Sequence, residues 1–574
     1  MTNANSPPLA HGTSRVKRPI ELIIPLTLAL VITAIAQRWS GLDTPDSSFY
    51  ASLALFGDEV TDRAPFPSYY WTRIGYIAPV GVLTAIFGAF PGFLAYKFLL
   101  TAAISVSAYL IARRHTQPWI AAWLTAAIIT SSVVLSYLGN PYLTGSVLAG
   151  TSILIALGTA TEPSRISAIS AGITMGWVAM VNPPGALLAG TLWLVLVLSN
   201  GASSDGLSRM QTLLFALPGF FIVVAAFVII GTAVFPSENW ISTYTSALGI
   251  DQSNYSSRTP VWLTDISLLV PASVMVICIV SWLGNRSSRP AQQGLIISCT
   301  SIAFSLVFSL FMGGVNLESP MYQAMLWSPA LLALSLAALS RLQAGATSHN
   351  YMYVLAAGGI AALVATGFTA TRISFIFGIG LAVAISALVL ASRGTTAVVL
   401  SVSTFLVGAQ ILQTSRADLG LYYLSPYHWA YASNPIEDKM RTAINSQEWL
   451  LENTGPSDQI LIWVDGPWTQ GDRELYVAAG MQLWGENRIT LAPTLTDDYG
   501  LNQLATIQPD VLALYGKSMD SVMAFWNSIP KANDPSAPIC YDYSWPSDSS
   551  SDFPTTQGHT CLTRLTWERD EAAL

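Results

Sequence analysis

The chain has 574 residues, which at ~150 residues per domain would make about four water-soluble domains. Charged residues number only 59, 26 Lys+Arg and 33 Asp+Glu, or 10% against roughly 25% in globular chains, and hydrophobic residues reach 52%. So few charges cannot cover a soluble enzyme of this size, and the composition is that of a polytopic α-helical membrane protein with a smaller soluble part.

Residues 1–19 form a polar tail that ends in Arg15, Lys17 and Arg18. The apolar run 20–36 follows with no small-residue cleavage site, so it reads as a first transmembrane helix with its basic flank in the cytoplasm. Further runs long enough to span lie near 92–112, 119–137, 142–160, 166–181, 184–199, 211–235, 263–283, 294–314, 321–340, 351–367, 373–391 and 394–412, thirteen with the first. Residues 74–89 are apolar but short, and they contain Pro79 and several glycines. If they spanned, Arg113 and Arg114 would face outside and every later loop would invert. If they lie in the headgroup layer, Arg113, Arg114, Arg165, Arg209, Arg286, Arg289, Arg341 and Arg393 all become cytoplasmic. The second solution is adopted: a juxtamembrane helix at 74–89 and an N-terminus in the cytoplasm.

Residues 413–574 carry 21 acidic and 9 basic residues, whereas 1–412 carry 12 and 17. A domain boundary therefore falls near 413, and thirteen spans make the acidic part extracytoplasmic. Its charge disfavours nucleic acid as a partner. Alternating strands (460–464, 488–491, 511–515) and helices (444–453, 474–484, 499–507, 519–529) predict an α/β domain with a small parallel sheet. Residues 533–558, rich in Pro, Ser and Asp, read as an irregular loop. Cys540 and Cys561 fit a disulfide in an oxidising compartment, with two free thiols as the competing reading. Cys278 and Cys299 fall in predicted spans.

Of the twelve acids in 1–412, five lie in the first outer loop, 38–73: Asp43, Asp46, Asp58, Glu59 and Asp62. Glu238, Asp251, Asp265 and Glu318 share that face. Thr44 suits a helix N-cap and Pro45 the first helical position, so Asp46 sits in a first turn with Tyr50 on the same helical face. An ionised carboxylate there can accept a proton from a hydroxyl. Alternatively, Asp46 only caps its helix. Aromatics crowd between Arg63 and Arg73, as an interfacial belt would require. Lys97 lies inside an apolar run near its outer end, where it must either snorkel or meet an anion.

These residues resemble the C-type (GT-C) membrane glycosyltransferases, in particular the protein O-mannosyltransferase and lipid A aminoarabinose transferase group. The resemblance rests on Asp46 and Tyr50 after a single span, on a proline-bearing juxtamembrane helix, on Glu318 through Tyr322 to Trp327-Ser-Pro329, and on thirteen spans before an outer domain. It implies an inverting enzyme of the plasma (inner) membrane. Such an enzyme moves a sugar, mannose and arabinose being the group's examples, from a polyprenyl-phosphate donor to a hydroxyl of a cell-envelope glycan, lipid or protein. Asp46 would be the base. Arg63, Arg73 or Lys97 would hold the phosphate, with Arg258 and Arg372 in reserve, and Tyr50, Glu318 and Tyr322 would line the site. Two departures stand out: the loop Leu138–Tyr142 holds no carboxylate, and Met321 precedes Tyr322 where relatives often carry a basic residue. Both leave a divalent cation open, and no cofactor is certain. A transporter or lipid flippase is the alternative, but it would need charges deep in the spans and inverted repeats.

Overall fold

The structure is a computed structural model. It describes residues 19–35, 50, 53–54, 72–139, 142–200, 206–234, 242, 244, 269–308, 320–343, 449, 453–454, 458–465, 488–494, 508–516, 519–528, 538–545 and 556–565. A 3-10 turn, Pro19–Leu22, leads into α1 (Ile23–Ile35). There follow α2 (Ile74–Phe87), α3 (Ala89–Arg113), α4 (Pro118–Ile129), α5 (Ser132–Gly139), α6 (Leu143–Gly158), α7 (Arg165–Val181) and α8 (Pro183–Ser199). The helical body continues with α9 (Arg209–Val234), α10 (Leu269–Gly284), α11 (Arg289–Val307) and α12 (Pro320–Gln343). Ten of the thirteen expected spans fall on these helices, and 351–367, 373–391 and 394–412 lie outside the described residues. Among the described residues, three helices are long and apolar enough to cross a membrane by themselves: Pro91–Arg113, Arg209–Val234 and Arg289–Val307.

The expected single span at 119–137 is two helices. Thr130 Oγ1 donates to Ala126 O at 2.7 Å and Ser131 Oγ to Ile128 O at 2.7 Å, so both hydroxyls bond back onto the preceding turn. Such local bonds compete with helix continuation, and the chain restarts at Ser132. Elsewhere the start signals act as written. Ser164 and Ser167 form a reciprocal capping box on α7. Asn182 Oδ1 accepts from Gly185 N at 2.8 Å ahead of α8. Where α10 meets α12, buried hydroxyls satisfy one another: Ser281 and Ser340 lie 2.6 Å apart.

The bundle has two chemically distinct ends. Arg113 pairs with Glu21 at 2.9 Å, while Ser105 Oγ donates to Pro25 O at 2.7 Å, so α1 runs antiparallel to α3. At that same end Arg114 donates to Ala156 O (2.8 Å) and Thr159 Oγ1 (2.7 Å), Arg209 to Asn200 O (2.8 Å) and Arg289 to Asn200 Oδ1 (3.0 Å). Four basic residues assigned to one face by the sequence thus gather in space.

Helix α2 lies across the opposite end. Its first turn touches the last turn of α7: a Cβ on Gly75 would fall 2.8 Å from Met180 C, and Trp177 Nε1 donates to Gly75 O at 2.9 Å. Its last turn touches the first turn of α3, where a Cβ on Gly92 would fall 2.5 Å from Thr84 Cα, a contact only glycine allows. Gly88 joins the two helices at φ 87°, a conformation glycine adopts at little cost. The end of α7 and the start of α3 are at one end of the bundle, so α2 does not cross it.

In the C-terminal region the sheet order is β2-β1-β3-β5-β4, with β1 Gln459–Asp465, β2 Arg488–Thr494, β3 Val511–Gly516, β4 Ile539–Trp545 and β5 Thr556–Arg564. β2, β1 and β3 are parallel, as expected, but β5 pairs antiparallel with both β3 and β4. The sheet is therefore mixed, and ten residues of the stretch 533–558 read as a loop are strand: all of β4 and the first three of β5. Helix α13 (Met519–Ser528) sets Val522 and Phe525 against Leu461, Leu512, Leu514 and Cys561. The other face offers Ile460, Val511, Ala513 and Leu562, so both faces are buried. Cys540 and Cys561 sit opposite each other in the β4–β5 register and are disulfide-bonded. Cys278 and Cys299 are free. The predicted helices 474–484 and 499–507 lie outside the described residues.

Candidate active site

At the end crossed by α2, four tyrosines pack edge to face. Tyr50 and Tyr76 have ring centroids 6.2 Å apart, Tyr50 and Tyr142 5.5 Å, and Tyr76 and Tyr96 5.6 Å. They come from four places in the chain: the stretch after the first span, α2, α3 and the residue before α6. Tyr50 is 2% exposed, so it is a core side chain and not part of an interfacial belt. The Tyr96 hydroxyl meets Ser146 Oγ of α6 at 2.8 Å, which ties α3 to α6.

Two cations accompany these rings. Arg73 occupies the N-cap position of α2 and is 5% exposed; its carbonyl accepts from Tyr76 N at 2.9 Å, which closes the first turn. Tyr244, which follows α9 in the chain, donates to Ala179 O at 3.1 Å. Burial raises the pKa of its phenol and the nearby Arg73 charge offsets part of that rise, so both groups belong to one neighbourhood. Lys97 follows Tyr96 in α3 and is 3% exposed, so its side chain is enclosed by protein. That overturns snorkelling, because a snorkelling ammonium stays in water.

Of the residues singled out in the sequence, the structure brings together Tyr50, Arg73 and Lys97 at one end. Tyr322 lies in the first turn of α12, where the backbone alone is described. Asp46, Arg63, Glu318, Arg258 and Arg372 lie outside the described residues. Tyr76, Tyr96, Tyr142 and Tyr244 were missed. Each is a lone tyrosine far from the others in the sequence, and no local pattern marks their convergence. Among the described residues no group of three or more His, Cys, Asp or Glu could hold a metal ion. Buried cations, oriented phenols and a dry aromatic wall can bind an anionic group and keep water from it.

No protein-family model matches the chain, and no curated protein matches it. Solved structures do. The crystal structure of ArnT from Cupriavidus metallidurans bound to undecaprenyl phosphate aligns at TM-score 0.55 and 14% identity, over 94% of this chain and 97% of that one. The apo form of the same protein aligns at 0.47 over the same shares. An Archaeoglobus fulgidus oligosaccharyltransferase tethered to an acceptor peptide aligns at 0.34 and 12% identity, over 87% of this chain and 69% of that one. The first of these establishes architecture: the chain has the fold of ArnT, a C-type membrane glycosyltransferase.

Proposed function

We propose that the protein is an inverting glycosyltransferase that moves a sugar from a polyprenyl-phosphate donor to an acceptor hydroxyl at the outer face of the plasma membrane. One observation carries this reading. A chain with the fold of a protein crystallised with undecaprenyl phosphate encloses Lys97 and Arg73 at the end of its bundle where the tyrosines cluster. A lipid phosphate is an anion on an apolar tail, and a buried cation at the end of a membrane helix is the group that meets it with least competition from water.

In this mechanism the acceptor oxygen attacks the anomeric carbon from the side opposite the phosphate. Asp46 takes the acceptor's proton as the new C–O bond forms. The bond from carbon to phosphate oxygen breaks, its electron pair leaves on the phosphate, and the sugar inverts. Lys97 and Arg73, with Arg63, balance the charge that grows on the leaving group. Tyr50, Glu318 and Tyr322 orient the sugar. The acceptor is a glycan, lipid or protein of the envelope, and mannosyl and arabinosyl donors are the first to assay. No step needs a divalent cation if the basic side chains carry the phosphate charge.

The test is Asp46→Asn, which keeps the side-chain shape and cannot take a proton. It is expected to abolish release of polyprenyl phosphate from a labelled donor while the protein stays inserted and monodisperse. Near-normal release would remove Asp46 from the base role.

A further inference from the structure

The opposite end of the bundle holds a second basic cluster that sugar transfer does not use. Arg114, Arg209 and Arg289 converge on the C-terminal turns of α6 and α8. Asn200 joins them: its Oδ1 accepts from Arg289 at 3.0 Å, its backbone oxygen from Arg209 at 2.8 Å, and its Nδ2 donates to Gly158 O at 2.7 Å. Arg114 donates to Ala156 O and Thr159 Oγ1, at 2.8 and 2.7 Å. Among the described residues no carboxylate pairs with any of the three, since Glu21 is taken by Arg113. Glu162 is exposed and has an interaction of its own, and Asp205 lies outside the described residues.

Capping alone does not balance these charges. A helix C-terminus is worth about half a negative charge, so two helices supply about one against three guanidinium charges. His115, packed beside Arg114 and Arg289, adds none. Burial first, then those two arginines, push its pKa down to about 4. The bonds to helix ends also engage only part of each guanidinium, which has five donors. Arg209 is exposed and Arg289 half-buried, so both guanidinium groups are open to solvent.

A cleft opens beside Asn200 and Arg209, the one arginine of the three that lines it, with Ala160, Ser167, Leu207 and Thr212. From Arg209 an exposed apolar stripe runs along α9 through Met210, Leu214, Leu217 and Phe221, spaced to lie on one helical face. A cation cluster at the head of a lipid-facing stripe has the shape of a phospholipid site.

We propose that Arg114, Arg209 and Arg289 form a site for a phosphate group, supplied by an anionic lipid of the leaflet at that end, separate from the transfer site. The test uses the full chain, purified in detergent, stripped of lipid and studied by native mass spectrometry. The probes are phosphatidylglycerol, phosphatidylcholine and inorganic phosphate. The wild type is expected to retain phosphatidylglycerol over phosphatidylcholine. Arg209→Gln should weaken that retention about fivefold, and Arg209→Gln with Arg289→Gln roughly 25-fold. Binding of millimolar inorganic phosphate that the double variant loses would assign the site to the phosphate group whatever its tail. Equal retention of both lipids, or wild-type retention of lipid and phosphate by the double variant, would overturn the proposal. If the double variant is not monodisperse, Arg209→Gln alone decides, because Arg209 is exposed and lies in the first turn of its helix.

Discussion

Replacing Lys97 by methionine separates its two conceivable roles, because they predict opposite signs. The side chain is 3% exposed, so its charge is almost wholly withdrawn from water. Holding an ammonium there costs several kcal/mol before partners compensate. Methionine keeps an unbranched stem of similar length, and volume-conserving swaps of this kind cost less than about 1.5 kcal/mol. If Lys97 is kept for the donor phosphate, Lys97→Met leaves melting unchanged or raises it. The donor then loses a hydrogen bond to a charged group, about 1.5–3 kcal/mol, or roughly 10- to 150-fold in affinity. The assay is transfer by the purified protein in nanodiscs, with kcat and donor KM measured separately and a melting curve on the same sample. Lys97→Arg is expected to recover part of the donor affinity. The reasoning is refuted if Lys97→Met melts several degrees lower and transfers normally, for then the ammonium is a structural ion partner and the phosphate is held elsewhere.

Two further expectations concern stability. The His115 pKa is pushed from 6.5 to about 4, so the unfolded chain binds its proton first as the pH falls. Its contribution is complete above pH 6.5 and is lost toward pH 4, about 2 kcal/mol between pH 7.5 and 5. His115→Gln should flatten a denaturation series over that window, and parallel curves for the two proteins would assign the titration to another group. The Cys540–Cys561 bridge closes a loop of 21 residues, which in the chain-entropy model is worth about 3 kcal/mol. Replacing both cysteines by serine should lower the unfolding midpoint of the C-terminal region and leave the helical body intact. An unchanged midpoint would show that the sheet holds without the bridge.

What could be read from the sequence followed what each segment states locally. Apolar runs bounded by caps became helices close to their expected limits, because Ser164, Asn182 and the prolines of α8 fix the start of a helix through bonds within one turn. The strand β4 was equally visible, with Ile539, Tyr541, Tyr543 and Trp545 alternating with Cys540, Asp542 and Ser544. The Pro- and Ser-rich flanks masked it. The antiparallel β5–β4 pair depends on a partner from beyond that loop, and composition does not show pairing. The tyrosine cluster was hidden for a stronger reason. Its rings come from positions 50, 76, 96 and 142, and they meet because glycines 75, 88 and 92 let α2 lie flat across the bundle. That is a property of backbone approach, which has no pattern in the side chains of any one segment.

The same geometry bears on Asp46. Because Glu21 and Pro25 of the first helical segment meet Arg113 and Ser105 of α3, α1 points its C-terminus toward the start of α3. Residue 35 is therefore directed toward the end where α2, Tyr50 and Lys97 are found. Tyr50 is at that same end, packed against Tyr76 and Tyr142. Four residues separate Asp46 from Tyr50, and four residues of fully extended chain reach about 14 Å at most. From Tyr96, the α3 residue in this cluster, the helix runs on 17 residues to Arg113, at ~1.5 Å rise per residue about 26 Å. The carboxylate therefore cannot serve the arginine end of the bundle, whatever conformation its loop adopts. If Asp46 is the base, the reaction must run at the tyrosine end, and Asp46→Asn and Lys97→Met should damage the same step. Loss of transfer in one, with wild-type kcat and donor KM in the other, would mean that the base and the phosphate site are not neighbours, and a single transfer site at the α2 end would have to be given up.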